Sequence, residues 1–74
     1  RPDMVLKDRD NRRALIIEAK RVPDESDLPK AADEALEQIR ERQYARSIPK
    51  GYREIFCYGV AFYEKDCLVK LLKN

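Results

Sequence analysis

Seventy-four residues make one small domain or a piece of a larger one, and a core of that size supplies no more than about 3–5 kcal/mol of stability. Sixteen basic and fourteen acidic residues nearly cancel to +2, so no strong overall basic field advertises nucleic-acid binding. The absence of histidine and the presence of only two cysteines exclude an ordinary structural zinc site, and with no signal peptide and no apolar run of membrane-spanning length a soluble, cytoplasmic protein is expected.

The first twenty-two residues read as a β-hairpin, with two runs rich in Val, Ile and Leu flanking a polar segment that carries Asp and Asn. A turn centred on Asp10 and Asn11 sets Lys7 opposite Ala14, Leu6 opposite Leu15, Val5 opposite Ile16, Met4 opposite Ile17 and Asp3 opposite Glu18. Side chains alternate along a strand, so Asp3, Glu18 and Lys20 fall on one face. Opposed carboxylates on neighbouring strands repel, and Lys20 offsets that only in part. A divalent cation would do so better, since hard cations take carboxylate oxygens. The chain begins inside this expected strand, at Pro2 and Asp3, which reads as a fragment cut at its N-terminal side.

The second strand, expected over Ala14–Val22, opens with the apolar run Ala14–Ile17, the pattern of a central strand buried on both faces, and Pro23 prevents simple continuation of its ladder. Ser26 or Asp27 can cap a helix with Pro29 in its first turn. That helix is expected from Leu28 to about Arg46, with Leu28, Ala32, Ala35, Leu36 and Ile39 on its buried stripe and Gln38 at the border. Pro49 and Gly51 end the connection. Glu54–Tyr63 then reads as a second buried strand, parallel to the first through a right-handed crossover. Gly59 within it implies a bulge or a close backbone approach, and residues 64–66 turn the chain into a last antiparallel strand, Cys67–Leu72. In that register Cys57 and Cys67 are too far apart for a disulfide, and both are read as free, small buried hydrophobes. The expected architecture is a mixed α/β sheet with a β-hairpin, one crossover helix and a C-terminal hairpin. One face of that sheet, carrying Met4 and Leu6, has nothing to cover it.

Asp3, Glu18 and Lys20, with Gln38 as accessory, are the residues whose chemistry fits together. Two carboxylates and the Ala19 carbonyl can hold a divalent ion, and a lysine beside them can orient or deprotonate a water or stabilise negative charge. At these residues the sequence resembles the PD-(D/E)xK nuclease superfamily. Pro2-Asp3, a spacer and Glu18-Ala19-Lys20 at the end of an apolar strand match its motif, followed by Gln38 in the helix and the strand Tyr58–Tyr63. The combination looks most like the nuclease-like domain at the C-terminus of AAA-ATPase-like proteins. The resemblance implies a restriction-endonuclease-like fold over residues 1–74 and Mg²⁺ (or Mn²⁺) ligated by Asp3, Glu18 and Ala19. It also implies a catalytic role for Lys20, with Gln38 approaching the site, and phosphodiester hydrolysis in nucleic acid, DNA first.

The sequence departs from the family pattern in lacking the preceding helix and strand of the superfamily core. It also has Arg42 where some relatives carry a tyrosine four residues after the glutamine. A reading from another class is a non-catalytic assembly module, docking to an ATPase-like domain of the same protein or forming a homodimer through the uncovered face. The bland reading makes the strand-end charges surface ion pairs and Gln38 a plain helix-border amide. Arg40, Arg42, Arg46, Lys50 and Arg53 could follow a phosphate backbone. Interspersed with Glu37, Glu41 and Glu54, they read better as a solvated, ion-paired surface, and the tyrosines at 44, 52, 58 and 63 read as packing residues.

Overall fold

The β-hairpin forms in the register that the apolar runs dictate. Strands β1 (Met4–Asp8) and β2 (Arg13–Arg21) pair antiparallel, with Met4 opposite Ile17, Val5 opposite Ile16 and Lys7 opposite Ala14. The structure, a computed structural model, describes residues 3–42, 46 and 48–73, so Pro2 of the expected strand and Tyr44 lie outside the described residues. Strand β1 starts at Met4, and Asp3 sits in a bend before it. The turn is held by Asp8, whose carboxylate accepts from the Asn11 backbone N–H (3.2 Å) and from Asn11 Nδ2 (2.9 Å). Those bonds, side-chain first, with Arg13 adding charge, hold the Asp8 carboxyl below the ordinary carboxylate range.

From β2 the chain passes through a short 3-10 turn, Glu25–Asp27, into helix α1 (Leu28–Glu41). Of the two capping candidates Asp27 takes the N-cap position, but not with the expected side-chain bond. Asp24 accepts from the Ser26 N–H and caps the 3-10 turn. Pro29 lies in the first turn as expected, where a missing N–H is harmless. The helix also ends earlier than its composition suggests, at Glu41, with the Arg42 N–H closing on the Gln38 carbonyl at 3.0 Å. Its buried stripe explains the stop. Leu28, Ala31, Ala32, Ala35 and Ile39 are buried, residues 40–42 are charged and exposed, and most helical stability in proteins comes from packing an apolar face.

Strand β3 (Glu54–Tyr63) returns parallel to β2, and β4 (Asp66–Lys73) closes antiparallel on β3, giving a four-stranded sheet in the order β1-β2-β3-β4. The β2–β3 ladder reaches one residue past β2, where the Val22 N–H donates to the Phe62 carbonyl before Pro23 ends it. This mixed α/β sheet with one crossover helix is a restriction-endonuclease-like fold.

The core lies on the single face that α1 covers. Ala14, Ile16, Ile39, Ile48 and Cys57 form one cluster, and Val22, Leu28, Ala31, Ala32 and Ala61 form the other. Gly59 is what lets the helix lie this close. A Cβ there would fall 2.3 Å from the Ala32 carbonyl oxygen and 2.9 Å from Leu36 Cγ, so Gly59 marks close backbone approach rather than a bulge. The opposite face carries Met4, Leu6, Phe62, Val69 and Leu71, each at least a third exposed, and no described element covers it. Both cysteines are free, as expected, but only Cys57 is buried and Cys67 is exposed. Cys67 pairs with Phe62 on the open face, which corrects the reading of it as a buried hydrophobe. Among the described residues no helix is long and apolar enough to cross a membrane.

Candidate active site

The C-terminal end of β2 gathers the four side chains singled out in the sequence. Strand alternation turns Ala14, Ile16, Glu18 and Lys20 toward the helix, and the burial pattern follows it as far as Glu18. Glu18 is 7% exposed and is the one buried charged residue among those described. An ionised carboxylate removed from water needs partners for its oxygens, and the fold provides them from two directions. The Asp3 N–H donates to Glu18 Oε1 at 3.2 Å. The Gln38 amide, oriented to satisfy both its neighbours, donates to Glu18 Oε2 at 2.8 Å and accepts from Arg42 Nη2 at 3.3 Å.

Asp3 answers in kind. Its Oδ2 accepts from the Ala19 N–H at 2.8 Å, so each residue's carboxylate is anchored by a backbone N–H at the other strand. The expected opposition of Asp3 and Glu18 is thus present, but it is not bare repulsion. The reciprocal bonds hold the two carboxylates side by side, and hydrogen bonds to charged groups of this kind contribute roughly 1.5–3 kcal/mol each when desolvated. Asp3 is exposed, so its share is smaller.

Lys20 lies two residues along β2 from Glu18, half-buried. It lines a cavity of about 270 Å³ together with Glu34, Glu37, Gln38 and Glu41 of the helix. Gln38 connects the two parts of the site, touching Glu18 on one side and lining the Lys20 cavity on the other. The structure therefore brings Asp3, Glu18, Ala19, Lys20 and Gln38 to one corner, where the end of β2 meets the shoulder of α1.

The roles of several neighbouring side chains are not legible in the sequence. The four-residue spacing of Glu34, Gln38 and Arg42 along the shoulder of the helix is legible in the sequence, but not that Arg42 completes a chain Arg42–Gln38–Glu18. Glu34 and Glu41 flank Gln38 at four and three residues, the spacing of one helix face. That spacing was visible, but its convergence on Lys20 depends on how the helix lies across the sheet.

The donor set suits a hard divalent cation. Two carboxylates and a strand carbonyl are oxygen ligands, and Mg²⁺ is ordinarily held by one or two carboxylates while keeping several waters. Asp3 Oδ1 carries no hydrogen bond among the described residues and is available as a ligand atom. Those residues contain no group of three or more acidic or cysteine side chains that could hold an ion, so the protein's share of such a shell would be small. No curated protein and no solved structure matches the chain. The family model of the PD-(D/E)XK nuclease superfamily does, over residues 1–71, and the chain belongs to that superfamily.

Proposed function

We propose that the chain is a divalent-metal-dependent nuclease domain that hydrolyses phosphodiester bonds, with DNA as its substrate. The observation that carries this reading is the corner where the Asp3 and Glu18 carboxylates are cross-anchored through backbone N–H groups, with Lys20 following Glu18 on the same strand. Asp3 and Glu18, with the Ala19 carbonyl, would hold Mg²⁺ or Mn²⁺. A bound ion of that kind polarises a phosphate oxygen and lowers the pKa of a coordinated water.

The chain's own residues do the rest. Lys20, two residues along β2 from Glu18, carries its ammonium on a flexible stem and lines the cavity that Gln38 shares. It orients the attacking water and stabilises the charge that develops on the phosphate oxygens. Gln38 is a positioning residue. Its amide fixes Glu18 Oε2, and Arg42 fixes Gln38. Glu34, Glu37 and Glu41 on the cavity wall repel a polyanion approaching Lys20, which supports cation-dependent engagement of substrate at this end of the sheet.

The test separates metal binding from chemistry. Calorimetry with millimolar Mg²⁺ or Mn²⁺ is expected to show binding to the wild type and to Lys20→Ala alike, whereas Lys20→Ala loses cleavage of a duplex DNA by about 10²–10⁴-fold. Absence of metal binding in the wild type, or full cleavage by Lys20→Ala, would overturn the reading.

A further inference from the structure

The far end of β2 holds a second charged surface that the nuclease reading does not use. At the hairpin turn, Arg12 has a left-handed backbone, φ 53°, and its carbonyl accepts from the Arg53 N–H (2.7 Å) and the Glu54 N–H (3.3 Å). Those two bonds fasten the hairpin tip to the last residue of the loop before β3 and to the first residue of β3. Between tip and loop lies a groove of about 450 Å³, lined by Arg9, Arg12, Pro49, Lys50, Gly51 and Tyr52.

Three of the six lining residues are cations and none is a carboxylate. Arg9, Arg12 and Lys50 make no ion pair among the described residues. Of the two acids adjacent to Arg9, Asp8 is committed to Asn11 and Arg13, and Asp10 is exposed on the turn without lining the groove. Unpaired like charges converging on one groove are held together against their own repulsion. The Arg12 carbonyl bonds and the packing of Tyr52 on the helix-side core supply that restraint. Such an arrangement suits an anion with several oxygens, and arginine's fork of donors matches phosphate in particular.

We infer that this groove binds the phosphodiester backbone of nucleic acid. The inference rests on the nuclease reading for its choice of polymer over free phosphate. The groove is separated from Glu18 by six residues of strand, about 20 Å at ~3.3 Å per residue. That distance corresponds to about six nucleotides at ~3.4 Å per step of one strand. Substrate engaged at the acidic corner therefore continues over a basic surface within one turn of duplex. The groove binds without a metal ion, because its charge is already positive, whereas the acidic corner repels phosphate until a cation is present.

The experiment uses the chain in EDTA, so that no cleavage or metal-mediated binding contributes. Fluorescence anisotropy with a labelled 20-base-pair duplex is measured across a salt series for the wild type and for Arg9→Gln/Arg12→Gly/Lys50→Gln. Glycine at position 12 keeps the left-handed backbone available, and circular dichroism verifies the fold. Arg9→Gln/Lys50→Gln, which leaves the turn untouched, is the second variant.

Each phosphate contact adds about 0.9 to the slope of log affinity against log salt. The triple variant is therefore expected to bind with a slope shallower by about 2–3, the double variant by about 2. Unchanged affinity and slope in both variants, with a wild type that binds and cleaves, would overturn this inference and leave the nuclease reading standing. Groove-dependent binding by a wild type that never cleaves with metal would sustain the inference and remove the nuclease reading. Binding of inorganic phosphate at the groove, seen as NMR shifts of Lys50, Gly51 and Tyr52, without any duplex binding, would overturn it as a backbone site.

Discussion

The two faces of the sheet are built from the same kinds of residue and end in opposite circumstances. On one face Ala14, Ile16, Cys57 and Ala61 are buried under α1. On the other Met4, Leu6, Phe62, Val69 and Leu71 meet solvent. All of the candidate catalytic side chains belong with the covered face. The reason is physical. A buried carboxylate such as Glu18 needs donors brought to it in fixed geometry, and only the face opposed by a helix can supply a second layer such as Gln38 and Arg42. The open face has no such layer and carries no candidate catalytic side chain. Packing of the helix and preorganisation of the site are therefore one structural problem, and a change that lifts the helix damages both.

Gly59 is the sharpest place to break the comparison. Gly59→Val would drive side-chain atoms into the Ala32 carbonyl and Leu36, both part of the helix. Backbone cannot yield as the end of a flexible side chain can, so the helix must shift. A loss of about 3 kcal/mol or more is expected, most of the roughly 3–5 kcal/mol that a core this size provides. Chemical denaturation should show a largely unfolded variant. A Gly59→Val chain as stable as the wild type would mean that α1 does not lie on β3 as described. Glu18→Ala comes next. It strands the Asp3 N–H and the Gln38 amide without their acceptor, and about 1–3 kcal/mol of stability should be lost, together with metal binding. Glu18→Gln keeps the shape and should retain more of the stability than of the metal binding, a split that a purely structural Glu18 would not produce.

How much of this was legible beforehand can be traced residue by residue. The register of β1 on β2 followed from the alternation of Val5, Leu6, Leu15 and Ile16 about a turn at Asp10 and Asn11, because slipping it by one residue would reverse every face. The parallel β2–β3 pair followed from two apolar runs separated by a helix. Asp3, Glu18 and Lys20 were legible as one constellation because strand periodicity alone puts them together. What stayed hidden depends on tertiary geometry. The bonds from the Asp3 N–H to Glu18 and from the Ala19 N–H to Asp3 require the bend before β1. The end of α1 at Glu41 is set by where its apolar stripe runs out, although composition favoured a longer helix. The groove at Arg9 and Arg12 required the tip of one hairpin to be bonded to a loop forty residues later in the chain. Cys67 reads as interior because a free cysteine is ordinarily a small buried hydrophobe, but on the open face of an edge strand it is exposed.

The cysteines report the same contrast at lower energetic cost. Burial pushes the Cys57 thiol above its ordinary range, and the thiolate is the reactive form. Titration with a thiol reagent at pH 8 should modify Cys67 promptly and Cys57 only at the rate of opening or unfolding, so that native protein gives one fast thiol and denatured protein gives two. Two fast thiols in native protein would show that the helix does not shield β3.

The smallest effect is expected at Val69, 52% exposed at the centre of β4 on the open face. Val69→Thr conserves shape and β-branching, so strand propensity changes little. What it changes is one methyl for a hydroxyl. With the face in water the hydroxyl remains hydrated and the melting free energy should move by no more than about 0.5 kcal/mol. A face occupied by a second copy of the chain would instead bury that hydroxyl, at a cost of about 1–3 kcal/mol if it found no partner. The cost would also depend on protein concentration, because dissociation precedes unfolding in such a pair. Denaturation of wild type and Val69→Thr at two concentrations tenfold or more apart therefore distinguishes an open sheet from a paired one. A small, concentration-independent difference leaves the stability of the chain with the single face that α1 covers.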